Sequence, residues 1–491
     1  MADNYNKPNL IVPLAASYDT RSVAADTTVL SGKDQRKINF YYDIIRNPVT
    51  GNATLELVKR PGVSTTGLIV TGNGTPYLVN NVLNEASNTW VFGKETSSND
   101  IYVTNVGTDT TLFTSATYYP GYFDTTIISG TTYGVVQARP NYLNTSSPHR
   151  AFFASAIGSW TEITDGDFTG IVHRGKMEHM DGYAFIMGND EYVYNSDLNS
   201  LSAWTAGNRI RKQIRSDVPV GLMKFKNQIL ACGQESGEIF VNQGNPSGSP
   251  LSVVKDRAFS IGIGKMAEAA QSLGQTHYSV ELDNRLYFIG RRSATTEAQS
   301  LFVYDGQTFE QIGNDSVDRI IGDANPMWIG VVNVYSKTAI AIDLGSNRWL
   351  MYFPALNEWF EWTSTVFRPQ NDGVNFLDST QTLYYFAGGN TYVDGSTAYT
   401  ASIQFRLPKK GNNRDFMRWC ALDADTTTSA SNVTVSFSDD DYQNFSTGRT
   451  IDLNTLEKRL IRCGSYKNRV VKLEHSANAE FRARNFLARV E

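Results

Sequence analysis

The chain has 491 residues and a formal net charge of −5 at pH 7, with 41% hydrophobic and 19% charged residues. This length is too great for one ordinary hydrophobic core, so it predicts several domains or one long repeat architecture. The acidic balance argues against a dedicated nucleic-acid binder, which would carry a surplus of basic residues to neutralise phosphates.

No targeting or redox signal is evident in the sequence. Residues 1–13 lack a basic segment followed by an apolar one, and nowhere do about 18 apolar residues follow one another. We therefore expect neither a secretion signal nor a membrane span. Cys232, Cys420 and Cys463 lack Cys-x-x-Cys spacing, which predicts buried thiols rather than a disulfide framework or a zinc site.

The first 64 residues are polar and end in the turn Lys59-Arg60-Pro61-Gly62. Residues 1–64 are predicted to form an N-terminal arm or platform ahead of a repeated region.

A short apolar strand that ends in glycine recurs along residues 65–405. Its five copies are residues 88–93, 182–188, 227–233, 284–290 and 382–388. Most copies are followed by a second strand, and many of these lead to an outer strand with an aromatic residue, such as Trp160 or Trp359. Weaker copies near residues 132–136 and 337–342 bring the spacing to roughly 50 residues.

A repeat of four short strands at this spacing is typical of a β-propeller blade. Residues 65–405 are therefore predicted to form an all-β propeller with six or seven blades. The alternative is a pair of stacked β-sandwiches, which also produces hairpins but imposes no such period. Residues 265–273 show a helical pattern closed by Gly274, which predicts a helix in an inserted loop.

A basic stretch at residues 409–414 separates the last repeat from a different pattern of strands. Alternating strands are predicted near residues 417–425, 431–438, 458–463 and 468–475. Residues 406–491 are therefore predicted to form a C-terminal β-sandwich. Residues 404–491 carry 15 Lys and Arg against 11 Asp and Glu, so this part differs in charge from the acidic remainder.

A glycine motif opens the predicted helix without the context of a nucleotide site. Gly262, Gly264 and Ala267 fit the pattern Gly-x-Gly-x-x-Ala, but no alternation of strands and helices surrounds them. Met266 stands where a Walker phosphate loop needs Ser or Thr. We interpret the motif as a tight turn and expect no cofactor.

The histidines do not form a catalytic or metal-binding pattern. His173 and His179 are six residues apart with Glu178 between them, which differs from the His-Glu-x-x-His pattern of zinc hydrolases. The other histidines are His149, His277 and His475. Because a Gly-x-Ser-x-Gly elbow is also missing, we expect no catalytic or metal residues and a protein that is not an enzyme.

Residues 438–445 approximate the Asp-box turn of sialidase-type propellers, with Tyr442 in place of Gly and Phe445 in place of Trp. In that turn the carboxylate accepts hydrogen bonds from turn amides and the aromatic side chain packs beneath. A calcium loop that begins at Asp439 would have Asn444 at its sixth position, where an EF-hand needs Gly. The segment is predicted to be a structural turn.

Basic and aromatic residues interleave at residues 414–419 and 466–469. Such a pattern could hold phosphates or stack on bases. Basic strand faces at a subunit contact explain it equally well.

Several motifs follow one another in a fixed order along the chain. They are Gly32-Lys-Asp-Gln-Arg-Lys-Ile-Asn39 with Tyr41-Tyr42, Leu57-Val-Lys-Arg-Pro-Gly62, Leu301-Phe-Val-Tyr-Asp-Gly306 with Asp315-Ser-Val-Asp-Arg-Ile320, and Ser438-Asp-Asp-Asp441 with Arg462-Cys-Gly-Ser-Tyr-Lys-Asn-Arg469. In this order they resemble the tail hub, or nozzle, proteins of short-tailed bacteriophages, including the packaged-DNA stabilisation proteins. The resemblance spans nearly the whole chain.

The resemblance implies a structural virion protein, assembled in the host cytoplasm, in which several copies, typically six, form a tube below the portal and its adaptor. Genomic double-stranded DNA would pass through this tube without sequence specificity. The propellers would form the outer wall, and the attached β-domains would narrow the lumen, retain the genome and dock fibres or spikes.

Two other functions fit parts of the sequence. A carbohydrate-binding or glycan-degrading propeller is favoured by the Asp-box-like turn and by the many Trp and Tyr residues that could stack on sugars. A host-like scaffold propeller is a third reading, although no Trp-Asp or kelch consensus recurs.

Overall fold

The structure is a computed structural model, and it describes most of the chain. The described residues are 7–15, 35–46, 53–69, 76–85, 88–95, 98–105, 108–140, 147–155, 159–263, 278–292, 299–324, 326, 328–366, 374–377, 382–387, 391–408, 413–428 and 430–491. The helix predicted at residues 265–273 lies outside these residues, as does His277.

Strands rich in β-branched and aromatic residues precede the repeated region. They are β1 (Leu10–Pro13), β2 (Arg36–Ile38), β3 (Phe40–Arg46), β4 (Ala53–Lys59) and β5 (Val63–Ile69).

The repeated region begins with four consecutive antiparallel sheets, each of four strands in chain order. The first sheet contains β6 (Pro76–Glu85), β7 (Asn88–Glu95), β8 (Asp100–Asn105) and β9 (Thr108–Thr114). The second contains β10 (Tyr118–Ile128), β11 (Thr131–Pro140), β12 (Arg150–Ala154) and β13 (Thr161–Glu162), followed by the short helix α1 (Gly166–Thr169). The third contains β14 (His173–Met180), β15 (Tyr183–Gly188), β16 (Tyr192–Ser196) and β17 (Trp204–Arg211). The fourth contains β18 (Pro219–Phe225), β19 (Gln228–Gly233), β20 (Gly237–Asn242) and β21 (Leu251–Phe259).

Three more groups of strands follow. The fifth contains β22 (Gly262–Ile263), β23 (Ser279–Leu282), β24 (Arg285–Arg291), β25 (Ser300–Tyr304) and β26 (Phe309–Gln311), followed by the helix α2 (Asp315–Ala324). The sixth contains β27 (Ile329–Val334), β28 (Lys337–Gly345), β29 (Arg348–Phe353) and β30 (Glu358–Thr363). The seventh contains β31 (Asn375–Leu377), β32 (Thr382–Phe386), β33 (Val393–Asp394) and β34 (Thr397–Ala398).

The repeated strand predictions are confirmed. The five glycine-terminated segments fall in β7, β15, β19, β24 and β32, and the two weaker copies fall in β11 and β28. Gly388, at the end of the last copy, lies outside the described residues.

Alternate residues of single strands pack against two different neighbouring sheets. On β15, Phe185 and Met187 join a core with the fourth sheet, whereas Ala184 and Ile186 join a core with the second. Alternate residues of strand β24 likewise join one core with the fourth sheet and another with the sixth group. A strand with both faces buried between neighbours is expected in a propeller, whereas a two-sheet sandwich leaves one face to solvent.

The C-terminal strands form two sheets around one large core. They are β35 (Ala401–Arg406), β36 (Asp415–Ala424), β37 (Asn432–Ser438), β38 (Arg449–Asp452), β39 (Arg459–Tyr466), β40 (Val470–His475) and β41 (Arg482–Val490). One sheet has the order β3-β4-β41-β36-β39, with β1 also paired to β41. The other continues the sixth group through β30-β2-β35-β40-β37-β38.

The N-terminal strands are therefore integrated into sheets that also contain C-terminal strands. Strand β2 pairs in parallel with β30 and antiparallel with β35, which connects the repeated region to the C-terminal sheets. Strand β5 lies between β32 and β33 in the seventh group. The predicted division into residues 1–64, 65–405 and 406–491 is thus crossed by hydrogen-bonded ladders, and the boundaries themselves stay a prediction.

Within the described residues, no helix combines the length and the apolar character needed to cross a bilayer.

Candidate functional site

Of the described histidines, His173, His179 and His475 are buried, and the ring centre of the partly buried His149 lies 5.4 Å from that of His173. His173 Nε2 lies 3.2 Å from the Phe168 carbonyl oxygen, and burial lowers the pKa of His173 to about 4. Among the described residues, neither ring nitrogen of His179 has a hydrogen-bond partner, and burial lowers the pKa of His179 to about 4 as well. His475 Nε2 lies 2.7 Å from Ser431 Oγ. Among the described residues, no three His, Cys, Asp or Glu side chains are placed to hold a metal ion.

The glycine motif has a packing role at the one position that the structure describes. Gly262 lies in β22 against the backbone of Gln234, where an added Cβ would lie 1.8 Å from the Gln234 carbonyl oxygen. Gly264, Met266 and Ala267 lie outside the described residues.

The carboxylates of the acidic turn at residues 438–445 form hydrogen bonds and ion pairs within the chain. Asp440 accepts hydrogen bonds from the Ser438 hydroxyl at 2.7 Å and from the Asn444 amide N–H at 2.9 Å, and these bonds lower the pKa of Asp440 to about 2. Tyr442 adopts a left-handed φ of 69°, and the Arg36 guanidinium carbon lies 4.0 Å from the centre of its ring. These contacts stabilise the turn itself, as expected of a structural turn.

The two acids that flank Asp440 are paired with arginines. Asp439 accepts two hydrogen bonds from Arg469, at 2.7 and 2.8 Å, and Asp441 pairs with Arg406. The turn therefore gives no support to a calcium site or to a sugar-binding role.

The basic–aromatic stretches are also engaged within the chain. The Arg418 guanidinium lies 2.6 Å from the Glu491 carboxylate, and the ring of Trp419 is buried beneath Arg459. Arg469 lies over the Tyr466 ring at 4.5 Å and donates to the Cys463 carbonyl at 2.5 Å. These contacts favour the interpretation of the two stretches as basic strand faces over a role in phosphate binding.

A buried ion pair joins the N-terminal strands to the seventh group. The Arg60 guanidinium donates to both carboxylate oxygens of Asp394, at 2.9 and 2.6 Å, and both side chains are buried. Its other N–H groups donate to the Asn39 side-chain oxygen at 3.0 Å and to the Pro61 and Thr363 carbonyl oxygens at 3.0 and 3.1 Å. All five N–H donors of Arg60 are therefore satisfied, as a buried arginine requires.

Two further side chains complete this group, which we call the closure cluster: Asn39, Arg60, Thr363, Asp394 and Tyr399 together with Ser364. Tyr399 lies with its ring centre 3.7 Å from the Arg60 guanidinium carbon, and its hydroxyl donates to the Arg60 carbonyl. Ser364 donates to Asp394 at 2.6 Å. The cluster thus ties together the ends of β2, β4 and β30 with β33 and the segment that precedes β35.

Gly62 allows the chain to enter the seventh group immediately after the cluster. An added Cβ at Gly62 would lie 2.2 Å from the Val393 carbonyl oxygen, so only glycine fits this close approach. The Gly62 N–H donates to the Thr391 carbonyl at 2.9 Å, and β5 begins at the next residue.

Two lysines of the ordered motifs are buried beside the cluster. Lys37 donates to the Tyr42 hydroxyl at 2.6 Å and lies 3.9 Å from the Glu358 carboxylate. Lys59 donates to the Ala477 carbonyl at 2.8 Å. Burial lowers the pKa of each ammonium to about 7.

Sequence reasoning found the segments that carry these lysines and Arg60 but missed their partners. Asp394 stands in no motif, Glu358 stands only in a repeated outer strand, and each is more than 300 residues from the cation that it faces. No local pattern could have singled them out.

No curated protein sequence matches the chain. Among solved structures, similarity is found to a chain of the mitotic checkpoint complex, with 10% identity, a TM-score of 0.38, and coverage of 67% of this chain and 94% of that one. An exo-β-1,3-galactanase from Phanerochaete chrysosporium shares 9% identity at a TM-score of 0.31, over 88% of this chain and 100% of that one. A Mycobacterium tuberculosis puromycin-hydrolysing peptidase shares 9% identity at a TM-score of 0.37, over 70% and 62%. TM-scores this low carry no argument about function.

A family model gives the informative comparison. Residues 125–368 match the family described as Bacteriophage P22 Gp10, β-propeller. These residues run from β10 in the second sheet to just past β30 in the sixth group, through the sheets whose strands bury both faces. The chain is therefore related to the tail hub and packaged-DNA stabilisation proteins of bacteriophages, as the order of its sequence motifs predicted.

Proposed function

We propose that the chain is a structural subunit of the tail nozzle of a short-tailed phage. With further copies, six in the predicted ring, it forms a conduit that retains the packaged genome and passes it at ejection. The match of residues 125–368 to the phage family carries this proposal. The protein acts by assembly and not as an enzyme.

The propeller is proposed to have seven blades, formed by the seven groups of strands. Strand β5 from the N-terminal part pairs antiparallel with β32 and in parallel with β33, so the seventh blade combines strands from both ends of the repeated region. A seventh blade built in this way closes the propeller of each chain, because the propeller can open only if a ladder between distant segments breaks.

The C-terminal β-domain is proposed to face the lumen. A conduit must let a polyanion slide, and each phosphate neutralised by a free cation would strengthen binding and slow the passage of DNA. Arg418, Arg482 and Arg484 of this domain are partly exposed and lie in ion pairs with Glu491, Asp43 and Glu56. These pairs support a surface that contacts DNA weakly and without sequence preference.

The remaining partners follow from the same proposal. A closed ring needs two different complementary patches on each copy, because its interfaces are heterologous. The ring would bind the portal–adaptor complex on one side and tail fibres or spikes on the outside, in a virion tail assembled in the host cytoplasm.

Assembly with the adaptor complex tests the proposal. The purified chain, mixed with its portal–adaptor complex, is expected to give closed rings in negative-stain images and a single large species on sedimentation. A chain that stays monomeric and never joins a virion would contradict the proposal. Strong binding in a glycan-array experiment, without ring formation, would favour the carbohydrate-binding alternative instead.

DNA binding gives a second measurement. We expect the dissociation constant for duplex DNA at physiological salt to be no tighter than about 10⁻⁶ M, the strong end of ordinary non-specific binding. A much tighter complex would be inconsistent with a conduit that releases the genome.

A further inference from the structure

Two of the three cysteines lie side by side in the core of the C-terminal sheets. The Sγ atoms of Cys420 on β36 and Cys463 on β39 are 3.7 Å apart, and both thiols are free. The two residues are 43 positions apart in the sequence but belong to the same hydrophobic core. The third cysteine, Cys232, lies in a different core that contains the fourth sheet.

A β-bulge brings the two thiols to the same face of their sheet. Cys420 is paired with Leu460, so in a regular ladder Cys463, three residues further along β39, would point to the opposite face. The register shifts between Met417 and Trp419, where β39 has one more residue than β36. As a result, Leu460 and Cys463 both lie in the core that contains Cys420.

The backbone on either side of Cys463 has the conformations of this bulge. Arg462 and Gly464 have left-handed φ angles of 60° and 79°, and a left-handed φ is uncommon for a residue other than glycine. The Arg449 guanidinium donates hydrogen bonds to the Ile461 and Arg462 carbonyl oxygens, at 2.7 and 3.2 Å. These bonds hold the irregular segment that places Cys463 beside its neighbour.

The surroundings give the two thiols different acidities. The hydrogen bond with Cys420 and the guanidinium groups of Arg449 and Arg469 lower the pKa of Cys463 to about 7, although burial opposes them. The same hydrogen bond, together with burial, raises the pKa of Cys420. Cys463 is 6% exposed and Cys420 is fully buried. Because the thiolate is the reactive form of cysteine, Cys463 is the member of the pair that reacts first.

We propose that Cys420 and Cys463 are a redox pair that forms a reversible disulfide between β36 and β39. A disulfide brings two sulfur atoms to about 2.05 Å, so the pair must close by only about 1.7 Å from its separation of 3.7 Å. The bond would join β39, at the edge of its sheet, to the neighbouring β36. The inference does not depend on the proposed tail function.

A small peroxide, such as hydrogen peroxide, is the oxidant in this step. The Cys463 thiolate attacks one peroxide oxygen, the O–O bond breaks, and hydroxide leaves and takes up the proton that the thiol released. The Cys420 sulfur then attacks the sulfur of the resulting sulfenic acid, the S–O bond breaks, and the oxygen leaves as water with the Cys420 proton. Two thiols and one peroxide thus give one disulfide and two water molecules, and a dithiol reductant restores the thiols.

Peptide mapping of the full chain tests the pair. The reduced protein is treated with hydrogen peroxide, labelled with N-ethylmaleimide in denaturant and digested with trypsin without reduction. Trypsin leaves Cys420 in residues 419–449 and Cys463 in residues 463–467. We expect these two peptides to be joined, with a mass that is lower than their sum by two hydrogen atoms, and only Cys232 to carry the label. Treatment with dithiothreitol should restore the labelling of all three cysteines.

Three variants separate the roles of the cysteines. Cys232→Ala is the control and should give the same joined peptides as the unmodified chain. Cys420→Ala removes the second thiol, so Cys463 should stop at the sulfenic acid, which dimedone traps. Cys463→Ala should give neither joined peptides nor a dimedone adduct.

Thermal melting measures the effect of the bond. The oxidised chain is expected to melt at a higher temperature than the reduced chain, because the disulfide restricts the unfolded chain. The same peroxide treatment of Cys463→Ala should give no such rise.

Labelling of all three cysteines after peroxide treatment would overturn the proposal, as would a disulfide that includes Cys232 or joins two chains. A linked chain that melts no higher than the reduced chain would contradict the stabilising role of the bond. The peptide map of the unmodified chain decides whether the disulfide forms, even where a variant does not fold.

Discussion

Replacing Asp394 by asparagine keeps the size of the side chain but removes the charge that balances Arg60. The side chains of Arg60 and Asp394 are 0% and 5% exposed, so water cannot take the place of the carboxylate. The two hydrogen bonds of 2.9 and 2.6 Å lose their charged acceptor, and the new amide group brings a donor toward an arginine N–H. We expect a loss in the free energy of unfolding of about 3–5 kcal/mol, as for other buried pairs broken on one side.

Glu162→Gln is the matched control, because Arg150 and Glu162 form the same two-bond geometry at 2.6 and 2.7 Å. Their side chains are 31% and 29% exposed, so water screens the pair and compensates for its loss. We expect this substitution to cost about 1 kcal/mol or less. The two pairs share this geometry and differ in burial and in the further hydrogen bonds that Arg60 and Asp394 form with their neighbours.

Denaturant unfolding followed by tryptophan fluorescence measures both variants. The Trp362 ring lies 5.8 Å from the Arg60 guanidinium carbon and is one of the eight tryptophans whose combined emission follows unfolding. Equal and small losses for Asp394→Asn and Glu162→Gln would refute the reasoning, because they would show that the closure cluster does not depend on its charge pair.

Two further predictions concern acid stability and backbone packing. The pKa of His179 is lowered to about 4, below its usual value of 6.5, so between these values the unfolded chain binds more protons than the folded one. The free energy of unfolding should therefore fall as the pH falls from about 6.5 to 4. His179→Phe removes a ring that has no hydrogen bond to any described residue, and it should reduce the decrease in melting temperature between pH 7 and pH 5. An unchanged pH dependence would be evidence against this account. Gly62→Ala should lower the melting temperature strongly, because its methyl group would collide with the Val393 carbonyl, whereas Gly207→Ala, which meets no atom within 4 Å, should have little effect; similar melting temperatures for the two variants would contradict the packing argument.

The strand positions could be read from the sequence because they depend on local patterns. Residues 182–188 and 284–290 are apolar runs of strand length that end in glycine, and both became strands with buried residues on both faces. A regular spacing of such runs predicts a repeated sheet without any knowledge of which strands pair. The order of the motifs was also sufficient to predict the relationship to phage proteins.

The position of the first 64 residues could not be read in the same way. They were predicted to form an arm or platform, and the pairing of β3 and β4 with β41, or of β5 with β32, connects segments hundreds of residues apart. Hydrophobic periodicity shows that a strand has a buried face, but it does not identify the strand that covers it.

The sequence by itself determined the all-β class, the repeated strands and the family relationship, since each is written in short-range patterns of residues. The tertiary structure alone decided the partner of each buried charge: Arg60 pairs with Asp394, and Lys37 lies 3.9 Å from the Glu358 carboxylate. The physical reason is that desolvation and pairing depend on which distant backbone segments enclose a side chain, and neighbouring residues in the sequence carry no record of that enclosure.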